Sequence, residues 1–140
     1  MKLRTWKVNS AAPGKIALWA AARGVRVVHF STDYVFDGKT AGFRVEAEPA
    51  VPVNAYGRSK LAGERAVLAH PGNLVLRVSW VFGPEKRSFM DHVMATARAG
   101  QPLAAVADKW SLPTFTTDLA EWVAGLIGVE ASGVLHACNP

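Results

Sequence analysis

Helical patterns and short buried-strand patterns alternate four times along the 140 residues, and the strand patterns are β-branched runs almost uninterrupted by polar residues. Together these two observations predict an α/β fold, a doubly wound parallel sheet with flanking helices. Pro13 to Arg23 is Ala-rich and helix-compatible, with Gly24 as its C-terminal cap. Arg26 to Ser31 suits a strand buried on both faces, and a long loop follows from Thr32 to Pro52, carrying Gly38, Gly42, Pro49 and Pro52. The spacing of Leu61, Ala62, Ala66, Val67 and Ala69 predicts a helix from Asn54 to His70, stopped by Pro71-Gly72. A second buried strand covers 74–80, and a helix over Phe89 to Ala99 ends at Gly100, with Met90 and Met94 on its core face. A short strand is expected at 103–107. The next helix, Thr117 to Ile127, is capped by Thr116 or Thr117, has Asp118 at the positive end of its dipole, and closes at Gly128. Residues 133–137 form the last candidate strand. With no internal repeat and no linker, residues 1–140 read as one domain.

Composition narrows the function classes. Half the residues are apolar and 19% are charged, which describes a globular chain rather than a disordered or coiled-coil one. One cysteine, Cys138, excludes a disulfide framework and any multi-Cys zinc site; a buried, inert thiol is its simplest reading. His29, His70, His92 and His136 lack metal-ligand spacing, so no metal site is expected, and His29 and His136 read as hydrogen-bonded core histidines. No apolar run approaches the roughly 18 residues of a membrane span, and the basic start leads into Val8-Asn9-Ser10 rather than a signal core, so a cytoplasmic setting is expected. The net charge of +5 is lopsided: residues 1–32 hold six basic residues and no acid, whereas the rest holds ten basic and eleven acidic ones. Basic residues spread through a helix and a strand start, without interleaved aromatics, do not make a nucleic-acid module.

In doubly wound sheets ligands bind beyond the carboxyl ends of the strands. The first strand runs into Ser31-Thr32-Asp33-Tyr34, the second into Ser79-Trp80-Val81-Phe82-Gly83. Between them Tyr56 and Lys60, at i and i+4, share one helix face. A phenol with an ordinary pKa near 10 exchanges protons poorly at neutral pH unless its anion is stabilised, and a nearby ammonium does that. A hydroxyl from Thr32 or Ser31 completes a hydroxyl, Tyr, Lys set suited to reversible ketone reduction, with Tyr56 supplying the proton. Taken singly, Tyr56 and Lys60 also fit a solvated helix pair, and Ser31 and Thr32 fit ordinary turn residues. Arg77, inside a strand pattern, asks for a buried carboxylate that the sequence does not identify.

The longer wording around these residues is more specific. STDYVFDG (31–38), NAYGRSKLAGE (54–64) and LRVSWVFG (76–83), in this order, resemble the extended short-chain dehydrogenase/reductases, and within them the dTDP-4-dehydrorhamnose reductases. DKWSLPTFTTDLA (108–120) is similar to that family's Asp-x-x-x-x-Pro-Thr segment, and GVLHACN to its following strand. The resemblance runs from Val8-Asn9 to Asn139. It implies a Rossmann-like sheet, NADPH or NADH as cofactor, and reduction of dTDP-4-dehydro-L-rhamnose to dTDP-L-rhamnose. It implies Tyr56 as catalytic acid, Lys60 as the residue that holds the nicotinamide ribose and depresses the Tyr56 pKa, and Thr32 as the residue that orients the carbonyl. Asp33, Tyr34 and Trp80 would line the sugar-nucleotide pocket, and Phe30, Ser31 and Val81 would face the cofactor. Trp80 fits a core aromatic equally well, and Asp118 a helix cap. The implied partners are a nucleotide sugar and, for a full-length protein, a second copy.

The departures from the family pattern carry expectations of their own. No G-x-x-G-x-x-G or G-x-G-x-x-G opens a helix after a strand, so the chain is expected to enter the pattern partway, a partial domain, and to be nearly inactive if expressed alone. Lys109 and Ser111 stand where the family more often has Gln and Gly. Two other readings remain: a non-catalytic sugar-nucleotide-binding or regulatory protein, and another sugar-nucleotide epimerase or reductase with the same residue set.

Overall fold

The computed structural model describes residues 2–39, 42–85, 87–108 and 110–139. Lys109 therefore lies outside the described residues. Three parallel strands form the main sheet in the order β1-β2-β5: β1 is Val28–Thr32, β2 Leu74–Val78 and β5 Gly133–Ala137. Val28 pairs with Leu74 and Leu74 with Gly133, so the three strand ends finish level at Thr32, Val78 and Ala137. A second parallel pair, β3 (Val81–Phe82) with β4 (Thr114–Phe115), continues beyond the end of β2. Leu74, Val75 and Leu76 have no exposed surface, as continuous apolar strands covered on both faces require.

On one face of the sheet, α2 (Ala12–Ala21) and α3 (Ala55–Leu68) pack over Ala17, Val67 and Val75, with Val27, Leu68 and Val134 at the margin. Asn54 caps α3 by accepting the Gly57 N–H at 2.7 Å. Helical structure does not begin at Pro13 as expected. It starts with α1 (Lys2–Trp6) and passes through a π-helical turn, Lys7–Ala11, in which the Ala12 N–H bonds back to Lys7. Proline reads as a first helical residue because it lacks an N–H; here Pro13 offers none to the Asn9 carbonyl four residues earlier, and the ladder ahead of it widens instead of ending.

Two glycines let α3 come close. A Cβ on Gly63 would lie 2.1 Å from the Asn9 carbonyl oxygen, and one on Gly57 would lie 2.1 Å from that of Tyr34. The π-helical turn and the end of β1 are thereby pressed against the helix that carries Tyr56 and Lys60.

Four other expectations change. The run 103–107 is not a strand: its residues are exposed, Val106 by 71%, and the strand that pairs with β3 lies at Thr114–Phe115. A five-residue apolar run without a neighbouring strand has nothing to hydrogen-bond. On α4 (Phe89–Arg98), Met90 and Met94 are exposed rather than core, because no described element covers that face. The last helix, α5 (Thr116–Gly128), follows Phe115 and has no side-chain cap; Asp118 instead accepts Asn139 Nδ2 at 2.6 Å. The second strand stops at Val78, because Trp80 has a φ of 38°. Gly24 and Gly100, both at φ 64°, are the expected left-handed caps. Among the described residues no helix is long and apolar enough to cross a membrane.

Gly63→Ala is expected to destabilise the fold by about 1–3 kcal/mol through overpacking. Gly125→Ala, in α5 with nothing within 4 Å, is expected to be neutral or stabilising. Urea denaturation of the two variants checks this; equal, small effects would contradict the close α3 approach.

Candidate functional site

The residues singled out from the sequence gather where β1 ends. Thr32 is the last residue of β1 and caps the 3₁₀ turn Asp33–Val35, its hydroxyl accepting the Tyr34 N–H at 3.2 Å. Tyr56 lies in the first turn of α3, 45% exposed, with the Tyr34 ring edge-on at a centroid distance of 5.9 Å. The Thr32 hydroxyl reaches both the Tyr56 phenol and Asp33 Oδ1, the latter at 3.0 Å. One hydroxyl proton serves one acceptor at a time, so Thr32 can donate to a phenolate or, turned toward Asp33, accept from a phenol.

Lys60, one turn further along α3, donates to the Phe30 carbonyl of β1 at 2.5 Å. Burial lowers its pKa, and the nearby Glu64 carboxylate opposes that shift. The depression of the Tyr56 pKa implied by a Lys60 partner does not occur in this structure. Burial pushes the phenol above 10, the charge of Asp33 adds to the rise, and the Thr32 hydrogen bond works against it. The physical reason is that the ammonium is turned onto the strand carbonyl and is not among the groups that act on Tyr56.

The other expected residues divide. Tyr34 and Trp80 are both about two-fifths exposed, at 42% and 41%. Trp80 is not a core aromatic; its ring tilts over Phe89 at 5.6 Å. Its left-handed backbone, a costly conformation for a bulky residue, is held by Thr114, whose N–H bonds the Trp80 carbonyl at 3.2 Å and whose hydroxyl bonds that of Ser79 at 2.5 Å. The Asp33 carboxylate is committed to Ser79 at 2.9 Å as well as to Thr32, and Ser111 lies 2.7 Å from Ser79 Oγ and 3.4 Å from Asp33 Oδ2. Phe30, midway along β1, and Val81, at the start of β3, are exposed. Ser31 is buried and donates to Glu64.

Several residues with a part in the site escaped sequence reasoning. Asn9 Nδ2 donates to Ser59 Oγ at 3.1 Å, and Ser59 donates to the Tyr56 carbonyl at 2.7 Å, tying the π-helical turn to the first turn of α3. Arg4, Thr5, Val8 and Asn9 line a cavity of about 350 Å³ with Tyr56. A larger one, about 580 Å³, opens beside Asp33, Ser79, Trp110 and His136. The carboxylate sought for Arg77 is Glu64 of α3, bonded at 3.0 Å from Nε and 2.8 Å from Nη2. His29 is not hydrogen-bonded at Nε2, which is buried without a partner; burial, with Lys60 adding, lowers its pKa to about 4, so it is neutral at pH 7. His136 Nδ1 meets the Arg44 carbonyl at 3.2 Å. Cys138 is partly buried, and burial pushes its thiol pKa up. Among the described residues no cluster of three His, Cys, Asp or Glu could hold a metal.

A parallel sheet whose first strand ends in a hydroxyl, facing a helix with Tyr and Lys four residues apart, is the arrangement expected from the resemblance to the extended dehydrogenase/reductases. Comparison with known proteins sharpens this: over residues 2–140 the chain matches the family described as RmlD substrate binding domain, and it belongs to that family. It is 37% identical to a dTDP-4-keto-6-deoxy-D-glucose reductase of Streptomyces niveus, across 94% of this chain and 46% of the relative. It is 39% identical to a dTDP-4-dehydrorhamnose reductase of Mycolicibacterium smegmatis, across 97% and 43%. The crystal structure of the Bacillus anthracis dTDP-4-dehydrorhamnose reductase in complex with NADP superposes with a TM-score of 0.93 at 28% identity, covering 100% of this chain and 50% of that one. The chain thus spans about half the length of the relatives it matches.

The site's electrostatics can be read directly. In a Tyr34→Phe background Tyr56 is the sole tyrosine, and its tyrosinate absorbance is expected to titrate above the ordinary value near 10. Adding Asp33→Asn should move the midpoint down and Thr32→Val should move it up. A midpoint below 10 would contradict the geometry.

Proposed function

We propose that this chain carries the catalytic residues of an NAD(P)H-dependent reductase acting on the 4-ketone of a dTDP-4-dehydro-6-deoxy sugar, with dTDP-4-dehydro-L-rhamnose as the leading substrate. The observation that carries this reading is the approach of Tyr56, in the first turn of α3, to Thr32 at the end of β1, with Lys60 one turn further along the same helix. The reading also assigns a nucleotide sugar as small-molecule partner and the cytoplasm as setting.

The reaction adds a hydride to the carbonyl carbon and a proton to its oxygen. A reduced nicotinamide, when bound, supplies the hydride. Tyr56 supplies the proton: a phenol with a raised pKa is fully protonated at neutral pH, so it stands ready as an acid in the direction of reduction. Thr32 stands where it can donate to the substrate oxygen and then to the phenolate that remains. Lys60 brings a positive charge to the same helix face, and with the exposed Phe30 and Val81 it offers the surface a dinucleotide would rest on. These residues fit the group, and Ser31 beside them gives its hydroxyl hydrogen to Glu64. Tyr34 and Trp80, partly exposed beside Tyr56 and at the end of β2, suit the faces of a sugar.

The test is a chimera in which residues 2–140 replace the matched segment of the Mycolicibacterium smegmatis relative, assayed for NADPH oxidation by a dTDP-4-dehydro sugar. Turnover is expected, falling about 10²–10⁴-fold with Tyr56→Phe. Turnover that ignores this substitution, or dTDP binding with no turnover, would overturn the proposal, the latter favouring a binding protein.

A further inference from the structure

Glu64 is the one acid and Arg77 the one base buried among the described residues, and they bind each other. Glu64 follows Lys60 by one helical turn, as Lys60 follows Tyr56, so the three share one stripe of α3. Its carboxylate reaches two different strands. Oε1 takes the Ser31 hydroxyl from β1 and Arg77 Nε from β2, and Oε2 takes Arg77 Nη2. Next to it in the chain, Gly63 leaves no room for a side chain against the π-helical turn. The helix is therefore pinned in height and rotation at Glu64, a single turn from Lys60.

We propose that Glu64 is the positioning residue of the Tyr56–Lys60 pair: clamped by Ser31 and Arg77, it sets α3 on the sheet and with it the place of Lys60 and Tyr56 beside β1. The functional part rests on the reductase reading; the structural part does not. The charged and titratable groups around Lys60 are few. Glu64 and Tyr56 flank it on α3, and His29 faces it from β1 as a neutral ring. Arg77 reaches from β2 to Glu64 and Arg4 from α1 to the Tyr56 cavity. Glu64 alone among them is a negative charge felt by Lys60, and it acts against the burial that favours a neutral amine.

The experiment follows Lys60 by NMR of the 140-residue chain after ¹³C reductive methylation, its resonance assigned through Lys60→Arg. In Glu64→Gln the Lys60 titration is expected to move to lower pH, and amide shifts in residues 28–32 and 55–60 to change; Glu64→Asp should recover part of both. A folded Glu64→Gln chain with Lys60 unmoved would overturn the proposal. If Glu64→Gln does not fold, Ser31→Ala, which removes only the β1 tether, decides by the same readout. In the reductase chimera Glu64→Gln is expected to lower kcat about 10²-fold with KM for the nucleotide sugar little changed. A chimera that turns over but is insensitive to Tyr56→Phe sinks the reductase reading and leaves the Lys60 measurement to judge the clamp.

Discussion

The buried pair of Arg77 and Glu64 is the contact on which the rest of the site depends. Two charges taken out of water are costly, and their attraction repays the cost only when the geometry is good and spare lone pairs are filled. The carboxylate meets both conditions, while Arg77 Nη1 is buried without a partner. The guanidinium meets the carboxylate through two nitrogens, at 3.0 and 2.8 Å, Ser31 occupies a further position on Oε1, and the Phe36 ring lies 5.2 Å from the guanidinium carbon. Each participant comes from a different element: β1, β2, α3 and the loop after β1. An interaction that α3 or β2 could leave only by stranding a buried charge fixes the relation of helix to sheet more firmly than apolar packing, which tolerates sliding.

From that anchor the site follows by short covalent and hydrogen-bonded steps. One turn along α3 brings Lys60 to the Phe30 carbonyl, another brings Tyr56 to Thr32 and Tyr34. At the neighbouring strand end Asp33 ties the first strand to Ser79 and Ser111, while Thr114 holds the two carbonyls around the strained Trp80. The strand ends thus form one hydrogen-bonded rim, with the phenol on its open side. Asn9 and Ser59 brace the opposite edge.

Much of this was legible in the sequence, for definite reasons. Asn54 and the Leu61, Ala62, Ala66 spacing announce α3, and β-branched runs announce β1, β2 and β5, because those patterns encode contacts within or directly beside the element. The Tyr56 and Lys60 partnership follows from helix geometry alone. What stayed hidden depends on distant partners. Arg77 signals a missing carboxylate but cannot name Glu64, which sits 13 residues away on another element. The helix running through Pro13 was unreadable because proline marks a start unless the ladder ahead of it widens. The direction of the Tyr56 shift turned on where the Lys60 ammonium points, and the Phe30 carbonyl that draws it carries no sequence signature. Met90 and Met94 have the spacing of a core face, yet a helix face is buried only if something packs on it.

The most direct measurement of the central claim is a double-mutant cycle of Glu64→Gln and Arg77→Met, read by urea denaturation at neutral pH. Arg77→Met leaves the Glu64 charge buried and unpaired, and its expected cost is about 3–5 kcal/mol. Glu64→Gln likewise strands the guanidinium. The double variant should cost much less than the sum of the two, because no buried charge is left stranded. Small and additive single effects would show that the clamp does not hold α3 to the sheet, and would contradict the account.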